Sequence, residues 1–110
     1  MGRVLVLEPN EEIRELLARV LVRLGHEVVA PGYVPERPPN VDAVILEPTW
    51  PQALELAKAL RGADGRMPIV FASLEPWGVD STGIRPVRRL LKPFGLRDLE
   101  AAIRAVLPER

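Results

Sequence analysis

Short apolar runs recur along the chain, and between them the apolar residues return at the spacing of a helix. Each run is too short for a helix and is typical of a strand buried on both faces of a parallel sheet. Five strands are predicted, at residues 4–7, 26–30, 41–46, 69–72 and 87–91. The chain therefore begins with a strand and returns to strands throughout its length.

Three segments carry the helical spacing. The first follows Asn10, a good capping residue, has two acidic residues in its first turn and stops at Gly25. The second is capped by Thr49 or Trp50, has a proline in its first turn and is predicted to end at Gly62. The third lies near the carboxyl end of the sequence. All three are amphipathic, as expected for helices that cover a sheet.

Two connections do not have the character of helices. Residues 31–40 hold four prolines and a glycine, and residues 74–86 hold two prolines and two glycines without apolar periodicity. The alternation of strands with helices predicts an α/β fold with a parallel sheet and right-handed crossovers. No linker or repeat interrupts it, so residues 1–110 are predicted to form one domain.

Composition excludes several classes of function. Fifteen basic residues balance fifteen acidic ones, which gives no support to a general nucleic-acid or acidic-membrane role. The absence of cysteine excludes disulfides, thiolate metal sites and a cysteine nucleophile. No apolar run approaches the roughly 20 residues that span a bilayer, and the start is unlike a signal peptide. We therefore expect a cytoplasmic protein without a membrane partner.

A set of polar residues follows the strands in a specific order. Glu8 follows the first strand, Glu47 the third and Ser73 the fourth, while Lys92 lies in the sequence LLKPF after the fifth. Pro51 stands four residues after Glu47. This order resembles the response-regulator receiver domain over essentially the whole chain, and LKPFGLRDLEAAI is its most specific stretch.

The resemblance implies a flavodoxin-like, CheY-like fold of three layers. Its five-stranded parallel sheet would have the order 2-1-3-4-5, with the helices after strands 2 and 4 shortened or replaced by loops. The implied site lies at the carboxyl ends of strands 1, 3 and 4. Its phosphoacceptor-equivalent pocket would consist of Glu8, Glu47, Ser73 and Lys92.

Three positions depart from the receiver pattern. The phosphoacceptor aspartate is Glu47, the second acid of the metal pair is Pro9, and the switch aromatic of strand 5 is Arg89. Mg²⁺ demands near-octahedral oxygen ligands, and proline offers no side-chain oxygen. The extra methylene of glutamate also misplaces the acceptor, and about 1 Å of misplacement can cost ~10²-fold in rate. We therefore expect a degenerate pseudo-receiver that is not an enzyme and has no metal or cofactor.

The residues of this pocket have alternative roles. A Glu47–Lys92 ion pair could mimic part of the modified state, or could only prevent unpaired charge. Glu8 and Glu47 should face each other, with Lys92 as the intervening cation. Ser73 would donate to a phosphoryl group in an active receiver, and is otherwise a hydroxyl in a loop turn. His26, without a second ligand residue at useful spacing, is interpreted as a surface histidine.

A candidate partner surface includes Tyr33, Trp50, Trp77 and Arg89. The aromatic residues either fold inward as lids over the sheet or form an apolar docking patch. Residues 84–97 carry five basic side chains and no acid. Those charges either protect an edge strand from pairing or steer an acidic partner.

The leading functional hypothesis is an atypical stand-alone receiver-like signalling domain that acts by phosphorylation-independent protein–protein interaction. One alternative is a functional phosphoacceptor receiver in a two-component phosphorelay. Another is a hydrolase that uses Glu8 and Glu47 as an acid/base pair. A protein partner is expected, with a homodimer as an alternative, and direct nucleic-acid binding is not expected.

Overall fold

The computed structural model describes residues 2–73, 83–86 and 88–107. Within them lie five strands and three helices. The strands are β1 (Arg3–Leu7), β2 (Glu27–Val29), β3 (Ala43–Leu46), β4 (Ile69–Ser73) and β5 (Arg88–Leu91). The helices are α1 (Glu11–Arg23), α2 (Pro51–Ala63) and α3 (Leu96–Val106).

All five strands are parallel and form one sheet in the order β2-β1-β3-β4-β5, as predicted. The register pairs Leu7 of β1 with Leu46 of β3, so the residues that follow them, Glu8 and Glu47, leave the sheet side by side. Ser73 of β4 pairs with Leu91 of β5, which places Lys92 at the same edge. The sheet register therefore gathers the polar residues that follow β1, β3 and β5.

Each face of the sheet has its own core, because successive side chains of a strand point to opposite faces. On one face, α1 and α3 pack through Leu17, Leu21, Leu99 and Ile103 against strand residues such as Val6. On the other, α2 packs against a second cluster. Its members include Leu5, Val44, Ile69, Phe71, Ala53, Leu56 and Leu60. The three predicted layers are thus present, and within the described ranges two helices cover one face and one helix covers the other.

The connection from β2 to β3 contains no helix, as its prolines predicted. Val34 of this connection and Trp50, the residue before α2, pack against the core on the α2 side. They cover part of the face that a further helix would otherwise cover. The other predicted loop lies largely outside the described residues, which include only 83–86 of it.

Several local predictions were wrong. The second and third strands are shorter than the predicted 26–30 and 41–46 and cover Glu27–Val29 and Ala43–Leu46. The second helix does not end at Gly62 but continues to Ala63, where the Asp64 N–H donates to the Leu60 carbonyl. A glycine so near a helix end costs only about 1 kcal/mol, which the packing of α2 outweighs. His26 is not a surface residue but is only 6% exposed. Its Nδ1 accepts a hydrogen bond from the Gly2 N–H at 3.1 Å, because the pairing of β1 with β2 brings the two residues together.

Among the helices of the described ranges, none combines the length and the apolar character that crossing a bilayer requires.

Candidate functional site

A buried cluster of two carboxylates and one ammonium lies at the carboxyl edge of the sheet. The Nζ of Lys92 is 2.6 Å from Oε1 of Glu8 and 2.9 Å from Oε1 of Glu47. Glu8 is 2% exposed and Glu47 is 7% exposed. The two glutamates therefore share a single cation in a site that is nearly closed to solvent.

The second oxygen of each carboxylate is held in the same way. Oε2 of Glu8 accepts from the Asn10 N–H at 3.0 Å, and Oε2 of Glu47 accepts from the Thr49 N–H at 3.1 Å. Each glutamate thus folds back onto the backbone two residues further along. The longer side chain of glutamate reaches this donor and the lysine at the same time.

Helix starts stabilise these negative charges. Asn10 caps α1, its Oδ1 accepting from the Ile13 N–H at 3.0 Å, and Thr49 lies two residues before α2 begins. The amino-terminal ends of helices carry partial positive charge, which favours carboxylates near them. In addition, the Arg14 side chain donates to the Glu8 carbonyl at 3.0 Å. Lys92 is therefore not the only group that stabilises the negative charges of the two glutamates.

The two contacts of Lys92 differ in kind. The contact with Glu47 has hydrogen-bond geometry, whereas that with Glu8 Oε1 is an ion pair without hydrogen-bond alignment. Glu8 Oε1 is buried and has no hydrogen-bond partner among the described residues. The Lys92 ammonium, at 2.6 Å, compensates the charge of this oxygen.

The pKa of Lys92 is raised above its ordinary value of 10.5. Burial is the largest single influence and acts to lower this pKa, because it disfavours the charged form. The close contacts and the negative charges of Glu8 and Glu47 together outweigh it. Lys92 is therefore protonated throughout the physiological range and remains a cation within the cluster.

Ser73, the fourth predicted pocket residue, lies beside this cluster. It ends β4 and is buried, and its carbonyl accepts from the Lys92 N–H at 2.7 Å. The peptide bond between Lys92 and Pro93 is cis. The structure thus brings Glu8, Glu47, Ser73 and Lys92 together at one edge of the sheet, as the order of the strands predicted.

The residues present do not fit the Mg²⁺ ion that the receiver resemblance implies. Pro9 is exposed and has no side-chain oxygen, and the described part of the chain holds no cluster of three or more metal-ligating side chains. The oxygens of Glu8 and Glu47 face Lys92, the Asn10 N–H and the Thr49 N–H. An octahedral Mg²⁺ site would have to displace the ammonium from between them.

Of the candidate partner residues that the structure describes, Tyr33 and Arg89 lie far apart. Tyr33 follows β2 at one edge of the sheet and is 64% exposed, whereas Arg89 is exposed in β5 at the opposite edge. Trp50 is half-buried against the α2-side core, as the lid interpretation predicted, and its Nε1 donates to Gln52 at 3.3 Å. Trp77 lies outside the described residues.

A cavity adjoins the cluster that sequence reasoning did not identify. Its volume is about 470 Å³, and its apolar walls come from Ile13 and Leu16 of α1 and from Pro93 and Phe94 after β5. Glu8, Glu47 and Lys92 also line it. Ile13 and Leu16 belong to the apolar stripe of α1, and their half-burial rather than full burial distinguishes them from core residues.

The backbone donors of Asn10 and Thr49 were also missed. Residue type gives no signal for them, because the side chains that typically accept from a backbone N–H two residues later are those of Asn, Asp, Ser and Thr. Neither the donors nor the cavity depends on an unusual residue type. Both arise from how the strand ends and helix starts are placed.

Comparison with known proteins supports the fold. No protein-family model matches the sequence, and no curated protein matches it. Among solved structures, the chain is similar to the response regulator TrrA of Thermotoga maritima in complex with Mg²⁺–BeF, with a TM-score of 0.80 and 24% identity over 97% of this chain and 100% of that one. It is similar to the chemotaxis protein CheY4 of Vibrio cholerae, with a TM-score of 0.80 and 23% identity over 97% and 99%.

A third similar structure is the non-phosphorylated receiver domain of HemR from Leptospira biflexa. The TM-score is 0.80 with 20% identity, over 100% of this chain and 97% of that domain. These neighbours are response-regulator receivers, so the chain has the CheY-like receiver fold that the sequence predicted. At such identities, the similarity establishes the architecture, and the chemistry has to be inferred from the residues of the site.

Proposed function

We propose that this chain is an atypical receiver-like signalling domain that acts by phosphorylation-independent protein–protein interaction. The observation that carries the proposal is the Lys92 ammonium, which lies 2.6 Å from Glu8 and 2.9 Å from Glu47. The place where a receiver holds its metal and acceptor charge is occupied by an internal ion pair. In this proposal the domain is not an enzyme, and its partner is a signalling protein in the cytoplasm.

The geometry disfavours phosphoryl transfer to Glu47. Transfer to a carboxylate depends on positioning and on neutralisation of the developing charge, which metal ions normally supply. One oxygen of Glu47 binds Lys92 and the other binds the Thr49 N–H. An attack on phosphorus would place the phosphoryl group on an oxygen that already binds one of these donors, inside a nearly closed site where a broken ion pair is costly.

A phosphoacceptor function in a phosphorelay is the alternative, and one experiment separates the two. The wild-type domain is incubated with acetyl phosphate and Mg²⁺ for intact-mass measurement, and with beryllofluoride and Mg²⁺ for amide NMR spectra. We expect no added mass and no shift changes around Glu47 and Ser73. A mass increase, or shifts at those residues, would contradict the proposal.

The matched control restores the receiver acids. In the double variant Pro9→Asp/Glu47→Asp, the shorter acceptor and the second carboxylate return the oxygen ligands that Mg²⁺ prefers. We expect this variant to respond to beryllofluoride and Mg²⁺ while the wild type does not. The control also shows that the reagents are active under the conditions used.

The affinity of the domain for a binding partner tests the proposed interaction directly. For a protein recovered with the immobilised domain, the affinity should be the same in EDTA and in acetyl phosphate with Mg²⁺. Sedimentation of the purified domain separates a homodimer from a heterologous partner. An affinity that rises only with a phosphodonor would support the phosphoacceptor alternative instead.

A further inference from the structure

We propose that the groove between α2 and the connection from β2 to β3 docks a segment of a protein partner in which apolar side chains stand next to Lys or Arg. Of the described residues that line this groove, none also lines the cavity beside the ion cluster. The inference rests on the proposed function and deepens it, because it names the surface and the chemistry by which the partner is recognised.

The walls of the groove are mostly apolar, and its volume is about 420 Å³. The connection contributes Val34, Pro35 and Pro38, and α2 contributes Pro51, Leu56 and Ala59. At 1.5 Å per helical residue, the α2 wall extends over about 12 Å, which is the length of about two helical turns or of three to four extended residues. A short segment of another chain can therefore bury its apolar side chains here.

Both walls are held in place without a partner. Val34 packs against the α2-side core, and the prolines on either side of Glu36 have a fixed φ that restricts the connection. Leu56 is buried in the same core, which anchors α2. A preformed groove loses little conformational entropy on binding, so more of the contact energy contributes to affinity.

The charged residues that line the groove are both acidic. Glu36 lies on the connection wall and Glu55 on the α2 wall, and both are exposed; among the described residues, no cation lines the groove. Glu55 pairs with Lys58 at 3.3 Å, but exposed ion pairs of this kind contribute little, so a cation of the partner can replace Lys58. Carboxylates on both walls favour a segment with basic residues beside its apolar ones.

The first test uses a fluorescein-labelled peptide in which Arg-Leu-Leu-Arg is repeated three times, with Glu in place of Arg in the control peptide. Anisotropy measures the affinity of each peptide for the whole domain. We expect the basic peptide to bind at least about tenfold more tightly, with amide NMR shift changes at residues 34–38 and 51–59. Equal affinities, or shift changes confined to residues around Lys92, would overturn the inference.

Ala59→Arg blocks the groove, and Ala63→Arg is its matched control. Both alanines are exposed on α2, but Ala63 does not line the groove. Because arginine is a good helix former, both variants should keep the melting temperature of wild type. We expect Ala59→Arg to weaken binding of the basic peptide at least about tenfold and Ala63→Arg less than about twofold. Equal losses would contradict docking in the groove.

A pair of double variants isolates the charges. Glu36→Gln/Glu55→Gln removes both carboxylates of the groove, whereas Glu12→Gln/Glu15→Gln removes the same charge from exposed positions of α1. The first should weaken binding of the basic peptide at least about fivefold and reduce its dependence on salt, and the second should do neither. The same response in both would mean that net charge, not the groove, attracts the peptide.

The protein recovered with the immobilised domain provides the last readout. Its affinity should fall with Ala59→Arg and not with Ala63→Arg. An affinity unchanged in Ala59→Arg would overturn the inference about the groove, whereas the proposed function is decided separately by the response to acetyl phosphate with Mg²⁺. Self-association of the wild type that Ala59→Arg alone abolishes in sedimentation would identify the occupant as a second copy and would also overturn it.

Discussion

Glu47 and Lys92 are 45 positions apart in the sequence and form a 2.9 Å hydrogen bond at the carboxyl edge of the sheet. The bond connects the end of β3 with the end of β5, two strands that are separated by β4. Glu8 brings the end of β1 to the same ammonium. Because two anions share this one cation, the three residues are not equivalent in their contributions to stability.

Replacement of Lys92 should cost more stability than replacement of either glutamate. Lys92→Met leaves two buried carboxylates without their cation, and loss of one partner of a buried pair costs about 3–5 kcal/mol. Glu8→Gln or Glu47→Gln leaves Lys92 one carboxylate and should cost about 1–3 kcal/mol. Urea denaturation in EDTA measures these differences. Lys58→Met should change the free energy of unfolding by less than about 0.5 kcal/mol, and an equal loss there would refute the ordering.

The same cluster predicts a dependence of stability on alkaline pH. The pKa of Lys92 is raised in the folded state relative to its ordinary value of 10.5. The folded state therefore holds this proton more tightly, and the stability from it is fully present below pH 10.5. It should be lost as the pH rises through the raised pKa. Denaturation midpoints between pH 9 and 12 (about the range that brackets this lysine) should fall more steeply for wild type than for Lys92→Met, and parallel curves would contradict the assignment.

Variants of Trp50 and Tyr33 should distinguish a side chain that covers the core from one that is exposed to solvent. Trp50 packs against the α2-side core, so Trp50→Ala should lower the free energy of unfolding by about 1–3 kcal/mol. Tyr33 is 64% exposed, so Tyr33→Ser should change it by less than about 0.5 kcal/mol. Thermal denaturation of the two variants checks both values. If Tyr33→Ser proves the more destabilising change, the assignment of Trp50 as the covering residue is wrong.

Asn10 should contribute to stability as the cap of α1. Its Oδ1 accepts from the Ile13 N–H at 3.0 Å, and loss of such a cap typically costs about 1 kcal/mol. Asn10→Ala keeps the backbone N–H that binds Glu8, so the amide NMR signals around Lys92 should change little. Asn40→Ala, in the exposed connection before β3, serves as the control for chemical denaturation. Equal losses for both variants would show that the cap does not matter.

The fold could be read from the sequence because its determinants are local and periodic. Apolar runs such as 4–7 and the stripe of α1 specify strand and helix directly, and the prolines of 31–40 exclude a helix. The end of the second helix was misplaced because a single glycine, Gly62, is a weak stop signal when neighbouring residues pack well. Periodicity fixes which elements exist better than it fixes their ends.

Those contacts of the site that follow from the order of the strands could be predicted from the sequence. Those that depend on the detailed course of the backbone could not. The Glu47–Lys92 pair follows from the positions of both residues at the ends of parallel strands. The donors at Asn10 and Thr49 depend on how each turn leaves its strand, and the burial of His26 depends on the pairing of β1 with β2. The donors depend on local turn geometry and the burial of His26 on the pairing of distant strands, and residue type alone specifies neither.

The shared ammonium also has a mechanical consequence for the edge strand β5. In the described part of the chain, β5 pairs with β4 alone, but Lys92 also connects the end of β5 to the ends of the central strands β1 and β3. A protein that displaces β5 from the sheet must therefore also separate the Lys92 ammonium from the carboxylates of Glu8 and Glu47. Because Glu8 and Glu47 lie just before α1 and α2, displacement of β5 would also disturb the starts of these two helices.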